Sequence, residues 1–202
     1  MSNVNIKEVE GGEASSISDT DAIEIDTGSG SFYALVSLVK STLKTYFDTL
    51  YQKSVLVQRV EATPYTGTTA ITTAFPLDDT IPEITDGGQV NSVTITPTSA
   101  TNRLVIRGVF RGASNTAAST FAGLFQVGVT NALIAGGETV GADGLASIPL
   151  EHEMAAGTTA AITFTLRAGN NSGATTYPNG NSGGRKFGGK MACTMSVEEI
   201  LV

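Results

Sequence analysis

His152 stands between Glu151 and Glu153, the one place where this chain sets an imidazole among carboxylates. On a strand, His152 shares a face with Leu150 and Met154 while both glutamates point the other way. One histidine is too few for a zinc site within one chain, so a partly buried or rim histidine is expected. A second cluster, Asp78, Asp79, Glu83 and Asp86 followed by Gly87 and Gly88, offers the oxygen ligands that hard cations take. Its spacing does not match an EF-hand loop, and the better expectation is a turn in which aspartates cap backbone donors. A third region, AGNNSGATTYPNGNSGGRK over 168–186, combines amides (Asn171, Asn179), a flat aromatic (Tyr177) and a cation (Arg185). These groups suit a glycan or a protein partner; a solvated tip without a ligand is the alternative. No pair of carboxylates is placed across a sugar-sized cleft, and neither a nucleophile elbow nor a phosphate loop is expected. The residues therefore assign no catalytic group, no metal ligand and no cofactor, and the expectation is a protein that is not an enzyme.

Composition narrows the class further. The chain has 202 residues, 41% hydrophobic, 15% charged, with 23 Gly and no Trp, which suits strands and turns better than helix bundles. The length fits one sizeable β domain with an extension. The net charge of −7 is concentrated. Residues 1–30 hold Glu8, Glu10, Glu13, Asp19, Asp21, Glu24 and Asp26 against Lys7 alone. Phosphate recognition needs clustered Lys and Arg, so no nucleic-acid partner is expected. The acidic start reads either as a docking surface for a basic neighbour or as a solvated tail. Cys193 is the only cysteine, so no intrachain disulfide is expected and stability must come from packing or association. No secretory signal and no membrane insertion are expected.

The elements that must position these residues follow from hydropathy. Residues 1–30 read as an extended acidic arm in which Asp19, Asp21, Ile23, Ile25 and Asp26 form a short apolar and acidic segment before Gly28-Ser29-Gly30. Over 31–53 the pattern becomes helical. Val36, Val39, Leu43, Tyr46 and Leu50 follow the rhythm of a coiled-coil seam. Phe47 and Tyr51 widen the stripe, so a self-associating neck and a lone docked helix both stand as readings. Residues 54–202 read as a head made of strands: VLVQRVEA, SVTITP, RLVIRGVF, STFAGLFQVGV, ALIAGGETV, LASIPLEHEM, TAAITFTLRAG and GKMACTMSVEEILV. Pro64, Pro76 and Pro82 punctuate the connector after the first of them. Gly108, Gly123 and Gly128 mark bulges or close approaches. The expected class is mainly β, an antiparallel jelly-roll-like sandwich.

Two stretches resemble proteins of tailed-bacteriophage virions. The stretch SISDTDAIEIDTGSGSFYALVSLVKSTLKTYF, Ser16 to Phe47, is similar to the N-terminal module of fibre and decoration proteins. The stretch TGTTAITTAFPLDDTIPEITDGGQVNSVTITPTSATNRLVI, Thr66 to Ile106, resembles a β domain that recurs in such proteins. It departs from that domain's pattern in Thr-Ala-Phe before Pro76, in Glu83 where Gln is usual, and in Gly87-Gly88. The resemblance implies a non-enzymatic structural protein of the virion, made in the bacterial host cytoplasm and assembled as a homotrimer. Its N-terminus would attach to capsid, portal, collar or tail subunits while the sandwich projects. It carries over no catalytic residue. As capsid decoration or a short head or collar fibre it would act structurally; as a tail fibre or adhesin it would bind a host-surface glycan.

Overall fold

The β-branched run after residue 54 and the regular apolar alternation beyond it leave the chain little option but strands. The computed structural model describes Lys40, Leu43, Lys44, residues 55–116 and residues 119–202. The chain divides into two units, Met1–Lys53 and Ser54–Val202, and the architecture described is that of the second. Lys40, Leu43 and Lys44 are helical, and Leu43 is half exposed. The other seam positions, Val36, Val39, Tyr46 and Leu50, and the arm residues Asp19, Asp21, Ile23, Ile25 and Asp26, lie outside the described residues.

The head is an antiparallel sandwich. Its principal strands are β1 (Leu56–Glu61), β2 (Gly88–Ile95), β3 (Arg103–Ser114), β4 (Ser119–Gln126), β5 (Ile134–Thr139), β6 (Ala146–Ala155) and β7 (Ile162–Asn170). Three short strands follow, β8 (Thr176–Pro178), β9 (Gly180–Asn181) and β10 (Gly184–Arg185), then a 3-10 turn at Phe187–Gly189 and β11 (Thr194–Ile200). One sheet runs β1-β11-β3-β6; the other runs β2-β7-β4-β5. Gly112 pairs with Ala146 of β6 on one side and Pro178 of β8 on the other, so β8 extends the first sheet beyond the end of β11.

Period-2 alternation supplies the core from both sheets. Leu104, Ile106 and Phe110 of β3 and Met195 and Val197 of β11 meet Leu124 of β4 and Phe164 and Leu166 of β7, all essentially without exposed surface. At Gly108 an added Cβ would lie 2.8 Å from Leu124, so this close approach of the sheets requires glycine. Gly123 is likewise crowded, by Phe125 and Phe75. Gly128 instead sits in the turn after β4 with φ 90°, a left-handed geometry that favours glycine. The register shifts of this fold fall elsewhere, between Leu56 and Gln58 and between Gln89 and Asn91.

The pairings define two ends of the sandwich. At the entry end, where the chain arrives from residue 54, lie the start of β1, the end of β11 and the turn 96–102. The turn 156–161 and the loop leaving β4 are there too. At the far end lie the β7–β11 segment and the turn 140–145, tied together by Asp143 N–H donating to the Ser114 carbonyl and by Ser182 N–H donating to Asp143 Oδ1.

Candidate functional site

The entry end is organised around a buried carboxylate. Alternation along β11 places Glu199 on the core face behind Met195 and Val197, and the residue has no exposed surface. Its Oε1 accepts from the Thr98 N–H (2.8 Å), the Thr98 hydroxyl (2.8 Å), the Ser99 N–H (3.3 Å) and Asn102 Nδ2 (2.7 Å). Its Oε2 accepts from Gln58 Nε2 at 2.6 Å. Burial alone would raise this pKa, but the hydrogen bonds from Gln58, Asn102 and Thr98 outweigh it and hold the group down to about 2. The words TPTSATN and VEEI thus form one joint, in which a turn rich in hydroxyl and amide donors closes on a carboxylate from the last strand. The outer surface at this end is different in kind. The turns 96–102 and 156–161, the loop 127–133, Val55, Leu201 and Val202 carry no charged side chain. Val55, Leu56, Val127, Val129, Leu201 and Val202 are exposed there. Charge resumes at the rim, with the Arg103–Glu153 pair and with Glu83 bridged to Asn131.

The acidic ribbon 76–86 is a structural connector. Phe75, buried, packs on the outer face of the second sheet against Phe121 (ring centroids 6.1 Å apart) and Phe125 (6.4 Å). Asp78 Oδ1 accepts from the Thr80 N–H and hydroxyl, which lowers its pKa. Asp86 Oδ2 accepts from the Glu83 N–H. Arg167 donates to the Asp86 and Gly87 carbonyls. The aspartates at 78 and 86 therefore cap backbone donors, as their spacing suggested. Among the described residues no three His, Cys, Asp or Glu side chains converge on a metal-sized site.

His152 lies on β6 with Leu150 and Met154 on the inward face, half-buried, while Glu151 and Glu153 face outward. The outward face of that sheet carries a charge ladder in which Arg107 bridges Glu151 and Glu198 and Arg59 reaches Glu61 and Glu198. An open hollow of about 330 Å³ beside Arg59, Glu61, Val109 and Ser196 sits among these self-neutralising charges.

The loop 168–186 divides into anchors and display. Asn170, Thr176 and Asn179 are fully buried. Asn170 donates to the Ala174 carbonyl and Thr176 hydroxyl and accepts from Ser172. Asn179 Nδ2 donates to the Tyr65 and Gly67 carbonyls (2.7 and 2.9 Å), so its amide faces inward, away from any surface ligand. Cys193, also buried, donates its thiol to Asn179 Oδ1 and the Arg111 carbonyl, and burial pushes its pKa up to about 11. Tyr177 is half-buried on β8, opposite Ala113; Asn171 and Arg185 are exposed. The structure does not bring the four sequence-predicted residues to one surface.

Two motif-like spellings lie in this region. Gly180-Asn181-Ser182-Gly183-Gly184 has the spacing of a nucleophile elbow, against the expectation that none occurs. It forms the tight β9–β10 hairpin instead of a strand-to-helix turn, and Ser182 Oγ donates to Asp143 Oδ2 at 2.6 Å. Gly184 to Lys190 approaches a phosphate loop but ends on Met191 and leads to a strand, without the hydroxyl residue and helix that such a loop uses.

The loop 168–186 read from the sequence ends one residue short of the most exposed large apolar side chain among the described residues. Phe187 is 71% exposed with φ 51°, a left-handed backbone that is an outlier for a bulky residue. Arg185, Lys186 and Lys190 flank it in sequence. The signal that could have found it is an aromatic flanked by cations and glycines, GGRKFGGK.

Comparison of the chain with protein-family models and with curated proteins finds no match.

Proposed function

We propose that this protein is a non-enzymatic structural component of a bacteriophage virion, a homotrimer anchored through its N-terminal residues and projecting a jelly-roll head. The observation that carries the reading is the resemblance of the stretch 66–106 to virion proteins. Two words within that stretch coincide with structural joints: FPLDDTIPEITDGG is the ribbon clamped over the second sheet, and TPTSATN is the turn closed on Glu199. The strand orders β1-β11-β3-β6 and β2-β7-β4-β5 support the jelly roll, in which two four-stranded sheets share strands from both halves of the chain. Residues 1–30 attach to the particle, 31–53 form the neck, and the head serves as capsid decoration or a short head or collar fibre.

The uncharged entry end supports self-association. Copies of a chain of net charge −7 meet there without like-charge repulsion, next to the point where the neck would hold them at high effective concentration. Mass in solution tests the trimer: the full chain of 20.8 kDa sediments at three times that mass, and a monomer at micromolar concentration would refute it. Deleting residues 1–30 abolishes incorporation into particles while the head stays folded. Normal incorporation of that truncation would refute the anchor.

A second reading, a fibre head that binds a host-surface glycan, is favoured by one observation. The exposed aromatic and cations lie at the end of the sandwich opposite to the chain's entry. Copy number separates the two: hundreds per particle support decoration, tens or fewer a fibre.

A further inference from the structure

Most basic side chains of the described head are already engaged. Arg59, Arg103 and Arg107 pair with carboxylates, and Arg111 and Arg167 donate to main-chain carbonyls. The remaining three, Arg185, Lys186 and Lys190, fall within six residues of one loop. Among the described residues none of the three is in a salt bridge. Asp143, whose oxygens accept from Ser182, is the one carboxylate close enough to Lys186 to be influenced by it, without a salt bridge between them.

Main-chain hydrogen bonds anchor the turn that carries these cations and Phe187. Lys186 N–H donates to the carbonyl of the buried Asn179 (3.2 Å), Gly189 N–H to the Lys186 carbonyl, and Lys190 N–H to the Phe187 carbonyl (both 3.0 Å). The Arg185 guanidinium lies against Gly189, where an added Cβ would come within 2.8 Å of it. One aromatic ring and three cations thus share a single anchored turn, and the ring is held outward by a backbone conformation unfavourable for phenylalanine.

We propose that this turn is a binding site for an anionic polysaccharide, with Phe187 stacking on a sugar face and Arg185, Lys186 and Lys190 pairing with its acidic groups. The proposal rests on the second reading above and names its ligand class. Charge selects an anionic partner, since three cations outside any salt bridge among the described residues stand out on a chain of net −7. The polar composition of the loop favours a sugar: Asn171, Ser172 and Ser182 are exposed along it. Phe187 is the only large apolar side chain between Asn179 and Lys190, too little for the apolar centre of a protein interface.

The test passes the full-length protein over immobilised polygalacturonate, dextran sulfate and unmodified dextran, and mixes it with phosphatidylglycerol vesicles. Retention on the two polyanions at low salt, lost as salt rises, with none on dextran or vesicles, is the expected result. Arg185→Gln/Lys186→Gln/Lys190→Gln weakens retention by about tenfold or more, and Phe187→Ala weakens it further, with circular dichroism unchanged. Retention of the triple variant at wild-type strength would place the site elsewhere and overturn the proposal. An unaffected Phe187→Ala would overturn the stacking role. Binding to dextran alone would keep the glycan reading but overturn the anionic site; binding to vesicles alone would overturn the sugar. Retention by no polysaccharide would overturn both.

Discussion

The two ends of the head handle charge in opposite ways. At the entry end a carboxylate is buried and the turns over it display uncharged side chains, threonines beside valines and leucines. At the far end the buried anchors are neutral amides, Asn170 and Asn179, and the charges stand outside with an aromatic among them. A buried ion needs a full set of donors, which rigidifies whatever supplies them; here that is the turn from which β3 begins. Neutral amides can fix a loop with fewer partners and leave its tip free to carry strain and charge. One end is built to be covered, the other to be met.

That contrast can be broken from either side. The largest effect is expected at Phe75: Phe75→Ala removes a buried ring packed on Phe121 and Phe125 and destabilises the head by about 3–5 kcal/mol in denaturant titration. At the entry end, Glu199→Ala leaves the donors of Thr98, Ser99, Asn102 and Gln58 without their acceptor and costs about 3 kcal/mol. The pH dependence follows from the same group. Its folded pKa is depressed, so its contribution is present above the ordinary carboxylate range and is lost as pH falls towards about 2. Glu199→Gln should flatten that acidic limb of the stability profile; an unchanged limb would remove Glu199 from the account. At the far end, substitutions should barely register in stability. The triple cation variant stays within about 0.5 kcal/mol of wild type, and Phe187→Gly, which relieves a left-handed backbone, stabilises by up to about 1 kcal/mol.

The same contrast marks what the sequence could tell. Every principal strand was legible, because alternation and turn residues agree along most of the head; β2 begins earlier than its β-branched run because Gln89 and Asn91 straddle a register shift. The small strands β8, β9 and β10 were hidden in a polar loop, since their stability comes from buried Asn170 and Asn179, and a buried asparagine looks like a surface one in sequence. Glu199 was hidden for the same reason, although its parity with Met195 and Val197 placed it on the core face. Asn179 was read as a ligand group on composition alone, and its inward amide shows how little composition says about direction.

The most direct test of the account uses one cysteine at each end of the full-length protein. Cys193 is buried and its thiol weakly acidic, so it contributes little background to maleimide chemistry. Thr159→Cys sits at the exposed entry end and Asn171→Cys at the exposed far end. A short bifunctional maleimide should link copies carrying Thr159→Cys and leave those carrying Asn171→Cys unlinked. Linking at position 171 and none at position 159 would contradict a trimer joined at its entry end with its far end displayed.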